Sequence, residues 1–196
     1  MTRLTWLLAV AMFAFSTQTG WAHPPPLGIG GFGGGLLHPL FVPAHLLAIL
    51  ALGLLIGGQA AWARTAVFCF AAGLTVGLGV MTFGVVPQWM NELVLGIALI
   101  AGLLTAWARS VPETLGCVLA VLTGFCIALD SPPEVISLLE ANLMLLGTGL
   151  GAIALLIAVS ELVRRIKAAW AATGVRILGS WIAASAILVL VLGLMR

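Results

Sequence analysis

From Leu36 onward the chain reads as six long apolar runs separated by short polar interruptions: Leu36–Gly58, Thr65–Val86, Trp89–Ala108, Leu115–Leu129, Val135–Val163 and Val175–Leu194. The runs are continuously apolar and do not alternate with polar residues. They therefore predict helices, which satisfy their own backbone hydrogen bonds in lipid, and not the strands of a β-barrel. About 20 apolar residues cross a bilayer core, and most runs have that length; the fourth is short and needs Val111 to Glu113 to complete it. The expected fold is an all-α integral membrane bundle of six transmembrane helices. Ahead of it, Arg3 precedes the apolar stretch Leu4–Phe15, and Gly20-Trp21-Ala22 forms a small-x-small end. An apolar core of about 12 residues is too short to span. Met1–Ala22 therefore reads as a signal peptide, cleaved to leave His23 at the start of a single domain, residues 23–196. The segment His23–Gly35, with Pro24–Pro26 and its glycines, predicts a short extramembrane or re-entrant stretch.

Composition sharpens this picture. The chain is 62% hydrophobic and 7% charged, with a mean hydropathy of +1.23. Soluble domains carry roughly 25% charged residues, so most of this surface must face lipid. A net charge of +2 is too small and scattered for a nucleic-acid partner. Cys69, Cys117 and Cys126 sit in apolar runs without a CxxC pair, as small buried hydrophobes do.

Charge placement predicts orientation. Arg64, Arg109 and the group Arg164, Arg165, Lys167 and Arg176 fall between alternate pairs of runs, whereas the intervening loops hold Glu92, Asp130 and Glu134. The positive-inside rule makes the basic loops cytoplasmic, which puts both mature termini outside a multi-pass protein of the inner membrane. Trp62, Trp107 and Trp89 fall where interfacial anchors are expected. Ala-Trp-Ala-Arg occurs twice, at Ala61–Arg64 and Ala106–Arg109, each copy expected to end a helix running inward. Four residues read as a reused anchor and do not establish an inverted repeat of the transporter kind. Gly73-x-x-x-Gly77, and Gly147, Gly149 and Gly151, predict close helix packing within the bundle or at a dimer face.

Chemistry concentrates in Gly31-Phe-Gly-Gly-Gly-Leu-Leu-His38-Pro39-Leu-Phe-Val-Pro43-Ala44-His45-Leu-Leu-Ala. Seven residues separate the two histidines, about 10 Å of rise on a straight helix, too far for one ion. Pro39 and Pro43 make a straight helix improbable, and a broken one would turn both imidazoles into one cavity. Imidazole suits nickel, copper, zinc and iron, and ionisable groups inside spans are functional candidates. Histidines bonded to carbonyls freed by the prolines are the alternative. Glu140 and Asn142, near the outer end of the fifth run, leave a proton or cation relay open. No Ser/His/Asp order, P-loop, zincin helix or dinucleotide fingerprint is present, so an enzyme is not expected.

The segment Gly31–Ala48, followed by Leu52-Gly53-Leu54, resembles the first-span signature of the HupE/UreJ family, hydrogenase and urease accessory membrane proteins regarded as nickel or cobalt permeases. Asn91-Glu92-Leu-Val-Leu-Gly-Ile-Ala resembles the start of that family's third span more weakly. The resemblance implies a signal peptide, six spans and a site for a transition-metal cation, nickel first, as transported cargo. It carries His38, His45 and His23 over as metal residues, with Asp130 in place of a family acid. The departures are specific. Ala44 stands where the family has aspartate before its histidine, and Thr123-Gly-Phe-Cys126-Ile127-Ala-Leu-Asp130 lacks two fourth-span histidines. Cys126 and Asp130, four residues apart, share a helix face and suggest a soft-plus-hard ligand pair. Two functions follow as expectations: a metal permease without its own ATPase, or a non-transporting membrane subunit or assembly factor. The lipid bilayer is the certain partner; a second copy of the chain or a membrane-complex partner remains open.

Overall fold

The computed structural model describes residues 31–59, 61–81, 87, 89–133 and 137–195. The expected signal peptide and His23 lie outside the described residues. The fold is all-α, with seven helices among these residues: α1 (Gly31–Phe41), α2 (Pro43–Gly57), α3 (Ala63–Met81), α4 (Met90–Trp107), α5 (Glu113–Leu129), α6 (Leu138–Arg164) and α7 (Ala169–Leu194). Four of them, α3, α4, α6 and α7, are long and apolar enough to cross a membrane; α1 with α2 makes a fifth if the bent pair counts as one span. The short fourth run becomes α5, 17 residues beginning at Glu113.

The first run is broken where two prolines break it. Val42 has extended backbone (φ −89°, ψ 110°), as a residue before proline prefers, and Pro43 takes the first position of α2, where its missing N–H costs nothing. The two helices meet at 70°. They still follow one neighbour from end to end: a Cβ on Gly35 of α1 would strike the Met144 carbonyl of α6, and one on Gly53 of α2 would lie 2.8 Å from Val159 of the same helix. The pair is a bent span and not a hairpin that turns back. Gly31–Gly35, the end of the expected extramembrane or re-entrant stretch, belong to α1, because the missing side chains let this helix lie against the α6 backbone.

Three intimate helix pairs, α3 with α5, α1 with α6 and α4 with α7, surround α2, which packs on α4, α6 and α7. Eleven of the fifteen α2 residues are buried, so α2 is the axis of the bundle. The three pairs repeat one pattern. A Cβ on Gly124 would run into the Phe70 carbonyl and one on Gly73 into that of Val121; in the α1/α6 seam, Gly35 meets the carbonyl of Met144 and Gly147 that of Phe32. Each carbonyl lies three residues before the partner glycine. The second pair of seam glycines also corresponds, Gly77 facing Phe125 and Gly151 facing Leu36. The third seam pairs Gly102 with the Gly179 carbonyl and Gly179 with that of Gly102.

Exchanging α1 with α5, α3 with α6 and α4 with α7 therefore maps the seams onto one another. Within the first two seams the helices run parallel. In the third, Gly102 faces Ala183 and Gly179 faces Thr105, so α4 and α7 run antiparallel. A two-fold that swaps antiparallel helices lies across them, which makes the bundle an inverted repeat. It is marked by glycine seams, not by Ala-Trp-Ala-Arg.

The two Ala-Trp-Ala-Arg copies differ in role. Ala63 and Arg64 begin α3 and do not end a helix. Trp62 is buried, donates its indole N–H to the Val111 carbonyl at 3.0 Å and covers Gly116. It is a strut between α3 and α5, not an interfacial anchor, whereas Trp89 and Trp107 are exposed as anchors are. Gln59 ties the same end together by donating to the Arg109 carbonyl at 3.0 Å. Trp62→Phe keeps most of the apolar contact and orphans the Val111 carbonyl. A loss of about 1–3 kcal/mol is expected, read as a lowered thermal midpoint of the detergent-solubilised chain, against no change for Trp107→Phe.

Candidate functional site

The break between α1 and α2 faces the C-terminal end of α5. The break is at Val42. At the end of α5, Asp130 caps the helix by donating its backbone N–H to the Cys126 carbonyl at 2.9 Å. Ser131 precedes Pro132 and Pro133, which prevent continuation; its hydroxyl donates back to the Ile127 carbonyl at 2.7 Å. Leu36 lies against Gly151, the midpoint of α6, while Gly53 lies against Leu156 and Val159. The break between them therefore sits near mid-length of a helix about 40 Å long.

The 70° bend brings the rings of His38 and His45 to 5.4 Å between centroids, tilted by 59°. His45 is fully buried and its Nε2 lies 2.9 Å from Asp130 Oδ2. Against an ionised carboxylate Nε2 is the donor, and a neutral His45 ring then carries its lone pair on Nδ1. That Nδ1 and His38 Nε2 are both buried without a hydrogen-bond partner among the described residues. Each orphaned nitrogen costs stability, and the alternative reading, histidines bonded to carbonyls freed by the prolines, does not describe these two atoms. Asp130 retains 21% side-chain exposure, so the cluster has a polar opening.

Electrostatics favour a cation here. The C-terminal ends of α1 and α5 carry the negative poles of their dipoles, about half a charge each, and the Asp130 carboxylate adds to them. An anion at a helix C-terminus is unfavourable unless compensated. His45 provides a hydrogen-bond donor, and a bound cation would provide charge.

Of the sequence-predicted residues, His38, His45 and Asp130 come together, and His23 lies outside the described residues. Cys126 is buried one turn before Asp130, but among the described residues no group of three or more His, Cys, Asp or Glu side chains could hold a metal ion. The soft-plus-hard pair is therefore not completed to a three-ligand set, because Cys126 packs into the apolar core. The three cysteines are free.

Glu140 is exposed in the first turn of α6, and its backbone N–H donates to Ser137 Oγ at 3.2 Å. Ser137-x-x-Glu140 has the spacing of a capping box, in which an acid also complements the helix N-terminus. That signal is readable in sequence and accounts for Glu140 without a relay. Glu92, read for topology and within the third-span resemblance, lies in the first turn of α4 with Oε2 buried and unpartnered among the described residues. An acid just inside an apolar run was the available signal.

A family model described as HupE / UreJ protein matches residues 7–189. Neither a curated protein nor a solved structure matches the chain significantly. The match covers nearly the whole chain and includes the break at Val42, the end of α5 and the residues gathered there: the chain belongs to the HupE/UreJ family.

Proposed function

We propose that this chain is a membrane permease for a transition-metal cation, nickel first, which enters near His38 and His45. The observation that carries the reading is the meeting of the break between α1 and α2, which brings two imidazoles with orphaned nitrogens, and the C-terminal end of α5, which brings a carboxylate. Secondary transporters place their sites at such interruptions, between inverted repeats, and use helix C-termini for cations. Two imidazoles sharing one ion at metal–nitrogen distances of about 2.0–2.1 Å have centroids on the order of 5 Å apart. His45 would use Nδ1 toward the ion while Asp130 holds its Nε2–H, the carboxylate–histidine–metal relay that raises ligand basicity. Ligand exchange with water supplies the remaining positions. No bond is made or broken in this reading, and energy comes from a gradient or a separate engine.

The finer topology belongs to the same proposal. Six spans, counting the bent pair and α5, with a cleaved signal peptide and both mature termini outside the inner membrane, put the His45–Asp130 pair within reach of the outer side. The test is nickel accumulation by cells expressing the chain, compared with vector-only cells, with cobalt, zinc and magnesium as competitors. Accumulation above the vector level, suppressed by cobalt more than by magnesium, is expected; accumulation equal to vector removes the reading.

A second reading is favoured by the donor set. With Ala44 in place of an acid and no three-ligand group among the described residues, the chain would be a non-transporting membrane subunit or assembly factor. Stoichiometric co-purification with a membrane partner, together with vector-level accumulation, would establish it.

A further inference from the structure

At the end of the bundle remote from the α1–α2 break, the C-terminal ends of α2, α4 and α6 and the first turns of α7 enclose a cavity of about 460 Å³. Arg109, Arg164 and Arg176 line it, with Gln59 and Ser110 between them and apolar side chains such as Leu54 on the wall. Three arginines from three separate segments therefore border one space. They are incompletely compensated. Arg164 pairs with Glu161 at 2.6 Å, and Arg176 donates its Nε–H to the Ala106 carbonyl at 3.2 Å. Arg109 lies over the Trp107 ring at 5.3 Å and, among the described residues, pairs with no carboxylate.

Helix ends alter this balance without reversing it. Three C-termini contribute about −0.5 each and the N-terminus of α7 about +0.5. With three arginines and Glu161 the local sum remains positive, before Arg165 and Lys167 in the adjoining loop are counted. The three arginines are exposed, and they share the rim of one concavity with an apolar wall. The volume falls in the range of ligand sites, roughly 300–1,000 Å³, and exceeds what a lone small ion fills.

We propose that this cavity binds a phosphate oxyanion, supplied by the headgroup of an anionic phospholipid or by free phosphate. Guanidinium matches phosphate oxygens in a bidentate fork, and basic pockets between membrane helices hold anionic headgroups in this way. The apolar wall and the position at the bundle end suit a headgroup whose acyl chains continue along the helices. The site is separate from the histidine cluster, so it stands or falls independently of metal transport.

The test uses the purified full-length chain in a neutral detergent. Thermal unfolding and native mass spectrometry are followed with phosphatidylglycerol, with phosphatidylcholine, and with inorganic phosphate against chloride at matched ionic strength. Wild type is expected to retain phosphatidylglycerol and melt several degrees higher with it, with no response to phosphatidylcholine. Arg109→Gln, which breaks no hydrogen bond or ion pair, should reduce retention about tenfold. Arg165→Gln removes the same charge outside the cavity and should behave as wild type. Stabilisation by inorganic phosphate, lost in Arg109→Gln, assigns the site to free phosphate. The proposal is overturned if wild type responds to neither ligand, or if Arg109→Gln and Arg165→Gln respond alike.

Discussion

Cells expressing His45→Ala are expected to accumulate nickel at the vector level, and cells expressing Asp130→Asn to fall between vector and wild type. His45 is the fully buried member of the cluster, and it alone touches both other groups: the His38 ring at 5.4 Å and Asp130 at 2.9 Å. Its removal deletes one of the two imidazoles proposed as ligands and leaves the Asp130 carboxylate at a helix C-terminus without its donor. The loss is expected to exceed a hundredfold in apparent affinity. Asp130→Asn keeps an oxygen acceptor for Nε2 and removes the charge that makes the imidazole a better ligand. A loss of about 10–100-fold is expected, as for outer partners of metal-bound histidine. Radioactive nickel uptake at graded concentrations measures both, with immunoblots of the membrane fraction normalising for expression. Wild-type uptake by His45→Ala would remove this histidine from the pathway. A loss in Asp130→Asn as complete as in His45→Ala would make the carboxylate a direct ligand.

The glycine seams predict the second large effect. Gly73→Ala and Gly147→Ala each drive a methyl group into a backbone carbonyl of the neighbouring helix, at Val121 and Phe32 respectively. Backbone cannot swing aside as a side chain can, so the helices must separate. Overpacking costs typically 1–3 kcal/mol, and the upper part of that range is expected at each site. Because the two glycines occupy corresponding positions of an inverted repeat, the losses should match. Gly96→Ala and Gly174→Ala, whose added methyl groups meet nothing within 4 Å, should instead gain up to about 1 kcal/mol from helix propensity. Thermal melting of the four variants in one detergent compares them. A seam variant that melts with wild type would contradict the close approach. Unequal seam losses would contradict the equivalence of the two halves.

Some of the site was readable before any coordinates. Pro39 and Pro43 flanking a seven-residue histidine spacing implied a broken helix, since proline removes backbone donors and restricts its predecessor; the 70° bend at Val42 is that break. Asp130 was reachable only through family resemblance. Nothing local in Thr123–Asp130 says that an α5 C-cap 85 residues away will meet His45 Nε2. Glu140 was ambiguous in sequence, because an acid near a span end looks the same whether it conducts a proton or caps a helix.

Local sequence determined the all-α class and the long apolar helices. Continuous hydrophobicity with few charges admits little else in lipid, where each segment must satisfy its own backbone. It also determined the break points, since proline acts on its own residue and its immediate neighbours. Tertiary structure alone decided which partner each glycine admits, that Trp62 is a strut while Trp107 faces out, and that the halves repeat in inverted order. Those outcomes depend on contacts between residues far apart in the chain. Identical motifs, such as the two copies of Ala-Trp-Ala-Arg, acquire different roles once different helices pack against them.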